Sequence, residues 1–211
     1  MKKGKLIVFE GGEGSGKTTI ANMLYQWCID NSIDVIKSRE PGGTQAGEDI
    51  RNIVLKNYKK PIDKVTEMLL FQAARREHYV NIIKPALDAG KVVILDRFIL
   101  SSIVIQGYGR NGDISLIETL NKKTTDSIDI DCTFILDIDP EVSLSRIINN
   151  NREINRIDKE DLSFHNIVRY ALLAYGNLND KFHIINANRK KELIFNDIID
   201  TFTKVIGYDG K

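Results

Sequence analysis

The sequence predicts an α/β fold: a three-layer domain with a parallel sheet at its centre. Three observations carry that reading. Apolar strand candidates alternate with helical stretches along the 211 residues. The strand runs are short and apolar throughout, as strands buried on both faces are. A glycine-rich string, GGEGSGKTT at 11–19, joins the first strand candidate to the first helix.

The strands are expected at 5–10, 33–37, 91–95 (KVVIL), 132–137 (CTFILD) and 181–186 (KFHIIN). Helices are expected at about 17–31, 64–89, 99–107, 114–123, 140–149, 159–178 and 189–206. The first shows Ile20, Met23, Leu24 and Trp27 on one face. Gly90 supplies a stop signal for the second helix and Pro140 a start signal for the fifth. Repeats, low-complexity tracts and linkers are lacking, so residues 1–211 read as a single domain.

Composition narrows the class. Apolar residues make up 42%, charged residues 28%, and 4 residues are proline, an ordinary soluble profile. The formal net charge of +1 argues against a nucleic-acid or membrane-surface binder. No apolar run approaches the about 18 residues of a membrane span. The start, MKKGKLIVFEGG, is basic then apolar, but its apolar part is too short for a signal peptide and reads as the first strand. Cys28 and Cys132 have no CxxC partner and read as buried free thiols, which fits a reducing cytoplasm.

The string at 11–19 has the G-x-x-x-x-G-K-[ST] spacing of a phosphate loop. Gly11, Gly12, Gly14 and Gly16, with Glu13, Ser15 and Thr19, form the loop and its exit. Glycines allow successive N–H groups to point inward and make an anion nest. The following helix adds its unpaired N–H groups. Lys17 reaches β- and γ-phosphates, and Thr18 offers a hydroxyl to Mg²⁺. The loop alone does not choose between a kinase, a GTPase and a motor.

In a parallel α/β sheet, ligands bind at the carboxyl ends of the strands. SREPGGT (38–44) follows the second strand candidate and DRFILSS (96–102) the third. Asp96 stands where a carboxylate acting on Mg²⁺ or its waters is expected. Arg39 and Arg97 stand at the same edge, and the planar arginine fork suits phosphate oxygens. Three cations at one crevice imply more than one phosphate group. Asp137 and Asp139, beside Pro140, read as a turn and helix cap.

Further along, Phe71 and Arg75 of LLFQAARREH (69–78) share a helix face and could stack a base and bond its carbonyl. By position alone Phe71 reads as core and Arg75 as solvated. The polar segment NNNREINRID (149–158) carries Arg152 and Arg156, as a solvated loop or as a lid over a phosphate site. His78, His165 and His183 show no metal spacing.

Together these strings resemble the thymidylate kinase family in its bacterial form. The resemblance rests on FEGGEGSGKTT, REPGGT, LLFQAARREH, DRFILSSIVIQGYGR and NREINRIDKEDLSFH. It runs from about residue 5 to 170, and more loosely beyond. It implies a three-layer α/β/α fold of the P-loop NTP hydrolase type, with a five-stranded parallel sheet and a lid at 149–158. It implies ATP and Mg²⁺ at Lys17, Thr18, Asp96 and the loop amides, and dTMP as acceptor. Arg39 and Arg97 would hold the dTMP phosphate, with Glu13 near its sugar and phosphate. Phe71 would stack on thymine and Arg75 would bind its carbonyl. Ser102 and Gln106 fall where the family contacts base and sugar. Arg152 and Arg156 match the lid positions, in a chain whose loop carries Gly14 and Ser15 where some relatives carry an arginine. A homodimer is also implied.

Two positions depart from the family pattern. Ile105 stands where an aromatic residue is common beside the deoxyribose. Leu172 stands where a tyrosine is common, with Tyr170 nearby.

Other readings predict other residues. Another pyrimidine nucleotide kinase is the nearest alternative. A deoxynucleoside kinase would need a base, for which Glu13 or Glu40 could serve, but would leave the acceptor-phosphate arginines without work. A GTPase-like switch predicts NKxD, and Asn121-Lys122-Lys123-Thr124 lacks the aspartate. An inactive nucleotide binder is at odds with intact Lys17, Thr18, Asp96, Arg97 and Arg39.

Overall fold

The computed structural model describes residues 3–149 and 154–209. Five parallel strands form one sheet: β1 (Lys5–Gly11), β2 (Val35–Arg39), β3 (Val92–Asp96), β4 (Cys132–Asp137) and β5 (Phe182–Asn186), in the order β2-β3-β1-β4-β5. Strand β1 is central, and its neighbours β3 and β4 lead to opposite edges. That arrangement opens a crevice at the carboxyl ends. Register sets what lies there, because Asp96 is level with both Phe9 and Arg39.

The inner strands β3, β1 and β4 are buried on both faces because alternate side chains meet different helices, whereas the edge strands β2 and β5, expected to be equally buried, are only partly covered because each lacks a neighbour on one side. Ile7 and Phe9 of β1, with Phe134 and Leu136 of β4, pack against α1 (Lys17–Asp30) and α9 (Lys191–Ile206). On the other face, Leu6, Val8, Val93 and Leu95 meet Ile83, Ala86 and Phe98. Beside them, Ile135 joins Val104, Ile117, Phe164 and Val168. Ala86 lies in α4 (Lys84–Asp88), Ile117 in α6 (Ile114–Thr124), Phe164 and Val168 in α8 (Leu162–Gly176), and Ile83 and Val104 in π turns; Met68 and Phe71 of α3 (Lys64–His78) and Leu100 of α5 (Ile99–Ser102) join the cluster around Ile135. The three expected layers are present. Among the described residues no helix is long and apolar enough to cross a membrane.

Several boundaries differ from the sequence reading, each for a local reason. The second strand lies two residues further on, because Ser32 takes a left-handed turn (φ 55°) and carries Ile33 onto the core before pairing starts. The helix expected at 64–89 is three pieces: α3, a π turn at Tyr79–Ile83, and α4. Pro85 lacks an N–H and crowds the preceding turn, which widens instead of breaking. The helix expected at 99–107 likewise passes from α5 into a π turn at Ile103–Gly109, with Gln106 inside it. Helix α2 (Gln45–Leu55) was not expected. Gly47 hides it, being a poor helix former, yet Thr44 caps it by accepting from the Gly47 N–H at 3.0 Å. The helix expected at 140–149 is present with those bounds as α7 (Pro140–Asn149), and Asp139, read as a cap, accepts from the Glu141 N–H at 2.9 Å.

Helix α9 touches the cleft at the strand ends only through Lys191 and Ile194 of its first turn. It closes one face of the sheet through Ile194, Ile198, Phe202 and Ile206. Phe202 is fully buried and meets Trp27 edge-on, with ring centroids 5.9 Å apart. Phe202→Ala is expected to cost about 3–5 kcal/mol, read as a lower midpoint in urea denaturation. Turnover well below the transition should stay close to that of the unmodified chain.

Candidate active site

The phosphate loop is a tight backbone cradle at the end of β1. Gly11, Gly14 and Gly16 hold φ of 151°, 70° and 93°, which side chains disfavour. Gly14 has a second constraint, since a Cβ there would lie 2.4 Å from the Ser143 carbonyl oxygen on α7. Gly16 caps α1, so the first N–H groups of that helix face the cradle. Lys17 donates to the carbonyls of Gly11 (3.1 Å) and Gly12 (2.7 Å) and to Ser15 Oγ (3.4 Å). Burial, then repulsion from Arg97, pulls its pKa down to about 8, against the opposing pull of Glu13, Asp96 and Glu10.

Thr18 Oγ1 donates to the Asp96 carboxylate, so the loop and the end of β3 are joined at that point. Both groups are hard oxygen donors. Among the described residues no group of three or more His, Cys, Asp or Glu could hold a metal. An oxygen pair beside a phosphate cradle fits Mg²⁺, which keeps several waters and takes further ligands from a phosphate substrate.

Arg97 follows in a left-handed conformation (φ 71°). Its guanidinium donates to the Gly11 carbonyl and Ser101 Oγ, both at 3.1 Å, and pairs with Glu13. Burial opposes its charge, but Glu13, Glu10 and Asp96 outweigh burial and raise its pKa. Beneath it, the fully buried Glu10 accepts from the N–H groups of Phe98 (2.9 Å) and Ser101 (3.2 Å) and from Ser101 Oγ (2.6 Å). Burial raises the Glu10 pKa, against Arg97 and these hydrogen bonds. Arg39, half exposed at the end of β2, pairs with Glu48 of α2 at 2.7 Å.

These groups line a cleft of about 420 Å³. Seven cations face it: Lys17, Arg39, Arg51, Arg97, Arg146, Arg189 and Lys191. Sequence reasoning missed four of them, one being Lys191 at the start of α9. Arg51 sits on the unexpected α2 and donates to the Pro41 carbonyl at 2.9 Å. Burial first, then Arg39, lowers its pKa. Arg146, on α7, donates to the Ala187 carbonyl at 3.2 Å. Arg189 lies just before α9. The cap residue Thr44 is the one sequence signal that could have led to Arg51; nothing in sequence marks Arg146 or Arg189.

A second, narrower pocket opens off the cleft and shares Glu13, Glu40, Arg51 and Arg97 with it. Phe71, Arg75, Ser102, Ile105 and Gln106 line it. Phe71 belongs to the core and to this wall at once. The expectation of a solvated Arg75 is overturned. Its side chain is 2% exposed, because α3 turns that face inward against residues 98–102 and α6. Nε donates to Glu40 (2.7 Å), Nη1 to Ser102 Oγ (2.9 Å) and Asn121 Oδ1 (2.6 Å), and Nη2 to the Phe98 carbonyl (3.0 Å). Of its five N–H groups one on Nη2 is left. His78 supports the same Glu40, with Nδ1 3.2 Å from Oε1 and Nε2 2.8 Å from Ser38 Oγ.

The remaining expected positions lie elsewhere. Leu172 is buried beside a third pocket that also touches Gly12 and Glu13, whereas Tyr170 is 67% exposed. Arg156 is not among the residues facing the phosphate cleft. Its Nε and Nη2 donate to the Val54 carbonyl at 3.2 and 3.0 Å, and Nη2 pairs with Glu67 at 2.6 Å. Arg152 lies outside the described residues. Asp137 holds Arg169 at 2.7 and 3.1 Å, a structural pairing.

Comparison with known proteins agrees with this geometry. The family model described as thymidylate kinase matches residues 9–198. A thymidylate kinase of Clostridium novyi (strain NT) is 44% identical over 203 residues, 94% of this chain and 98% of that protein. The crystal structure of thymidylate kinase from Ehrlichia chaffeensis superposes with a TM-score of 0.77 at 34% identity, over 95% of this chain and 99% of that one. These matches in sequence and fold over nearly the whole length show that the chain belongs to the thymidylate kinase family.

Proposed function

We propose that this chain, as one domain, transfers the γ-phosphoryl of ATP to the phosphate of dTMP, giving dTDP and ADP. The observation that carries the assignment of residues is the junction of the two cavities, where Arg51 and Arg97 line both. A nucleotide in the side pocket would bring its phosphate to those arginines, opposite the phosphate loop.

The acceptor is already a nucleophile. The second pKa of a phosphate monoester is about 6, so it is largely dianionic at neutral pH and needs no general base. The difficulty is electrostatic, since two unit charges 4 Å apart repel by about 4 kcal/mol at an effective dielectric of 20. Lys17 and the loop amides hold the ATP phosphates, and Arg39, Arg51 and Arg97 hold the acceptor phosphate. Arg146 faces the same cleft and adds positive charge where the transferring group passes. Thr18 and Asp96 would hold Mg²⁺, which when bound neutralises charge on phosphate oxygens. Glu13 reaches both cavities and keeps Arg97 in place. In the side pocket Phe71 offers a stacking face, the last N–H of Arg75 a donor for a base carbonyl, and Ser102 and Gln106 further polar contacts.

The family reading carries a homodimer and a cytoplasmic setting. Val65 and Leu69 of α3, each 50% exposed, support an apolar partner face, and the buried free thiols of Cys28 and Cys132 support a reducing compartment.

Three outcomes test this reading. An ADP-release assay with ATP and Mg²⁺ should show turnover with dTMP and none with thymidine; turnover with thymidine alone would reassign Arg39, Arg51 and Arg97. Lys17→Ala and Arg97→Ala should each lower kcat by about 10²-fold or more while circular dichroism stays native. The pH dependence follows from Lys17, whose lowered pKa leaves it charged below about 8 and neutral above. Because kcat/KM reports the free enzyme, that for ATP should fall as pH rises past about 8.

A further inference from the structure

Glu67 of α3 is a carboxylate 1% exposed, and the residues around it belong to two different parts of the site. Gln106 donates from Nε2 to Glu67 Oε1 at 2.8 Å. Arg156 pairs with Oε2 at 2.6 Å, and Arg110 Nε stands 3.6 Å away. Arg110 in turn pairs with Glu160 at 2.7 Å and lies over the Phe164 ring. One buried anion therefore ties α3 to the π turn that carries Gln106 and to the segment after residue 153. Two residues of that segment, Asn155 and Ile157, line the side pocket on either side of Arg156.

We propose that Glu67 is a positioning residue for the acceptor base, and that Arg156 fastens the pocket wall and does not serve the transferring phosphoryl group. The proposal rests on the functional reading above. An ionised carboxylate only accepts hydrogen bonds, so Glu67 holds the amide of Gln106 in one orientation, nitrogen toward itself. Oε1 of Gln106 has no partner among the described residues and belongs to a side chain that lines the pocket. An acceptor there, beside the remaining N–H donor of Arg75, complements a pyrimidine with N3–H and a 4-carbonyl. It opposes one with a bare N3 and a 4-amino group. Glu67 thus sets thymine-type over cytosine-type selectivity without touching the base. Through Arg156, which also bonds the Val54 carbonyl, it holds Asn155 and Ile157 against the same pocket.

The test measures kcat and KM for dTMP, dCMP and ATP in the full chain and in Glu67→Gln, Glu67→Asp, Arg156→Met and the double variant Glu67→Gln/Arg156→Met. A glutamine at 67 can bond Gln106 in either orientation. An aspartate keeps the charge but shortens the reach, which guards against a Glu67→Gln chain that does not fold. Both Glu67 variants should raise KM for dTMP by about tenfold and reduce the preference for dTMP over dCMP by about tenfold or more. Arg156→Met should raise KM for dTMP by a similar factor, and the double variant should be no worse than the weaker single one, because the two residues act as a unit. KM for ATP and kcat at saturation should stay within about threefold. A fall in kcat of about 10²-fold with unchanged KM for dTMP in Arg156→Met would put Arg156 on the transferring phosphoryl and overturn the proposal. Unchanged base preference in the Glu67 variants would overturn the positioning role. Failure of the functional reading is distinguishable, since the unmodified chain would then not turn over dTMP.

Discussion

Arg97 occupies a backbone region that residues with a Cβ seldom adopt, and it does so at the carboxyl end of a central strand. The surroundings hold it there from every side. Its own N–H bonds the Phe9 carbonyl at 2.9 Å, and its side chain is bound by Gly11, Ser101 and Glu13. Below it, Glu10 gathers the N–H groups of the turn that follows. Strain of this kind persists where the rest of the structure over-determines it. The result is a rigid corner that joins β1 to β3, fixes the mouth of the phosphate loop, and starts the chain toward Ser102 and Gln106. Both cavities are built off that corner.

Charge is the second organising constraint. The cleft concentrates cations within a chain of formal net charge +1. Such a site is costly to keep empty unless each charge has a partner. Most have one: Glu48 for Arg39, Glu13 for Arg97, and backbone carbonyls for Lys17, Arg51 and Arg146. A carboxylate or carbonyl partner holds an arginine less strongly than a phosphate dianion does, so these pairings would yield to one. The side pocket follows the opposite rule. Arg75 is almost fully satisfied by protein, which leaves a single directed donor. One cavity gathers cations, and the other is lined mostly by side chains whose polar groups already bond within the protein.

The layered sheet, the phosphate loop and the strand-end positions of Arg39, Asp96 and Arg97 were legible because each rests on local chemistry. Buried parallel strands must be apolar, glycines must stand where φ is positive, and a strand end is one residue long. Helix α2 was not legible, since Gly47 argues against a helix that the Thr44 cap and packing against α3 nevertheless hold. Arg51 disappeared with it. The π turns were hidden for a related reason. Residues 79–83 (YVNII) and 103–109 (IVIQGYG) continue the helices before them, and nothing in their spacing sets a widened turn apart from an α turn; Pro85 or the fit against neighbouring helices widens them.

By itself, then, the sequence determined the class of fold, the family and the presence of a phosphate-handling site, because motif spacing and apolar runs act over a few residues. The tertiary structure decided which cations share the cleft, that Arg75 is buried and not solvated, and that Arg156 meets Glu67, 89 positions away, and not the phosphate loop. Those pairings join distant parts of the chain. They are set by which helix faces the sheet turns toward each other, and that depends on packing the whole core at once.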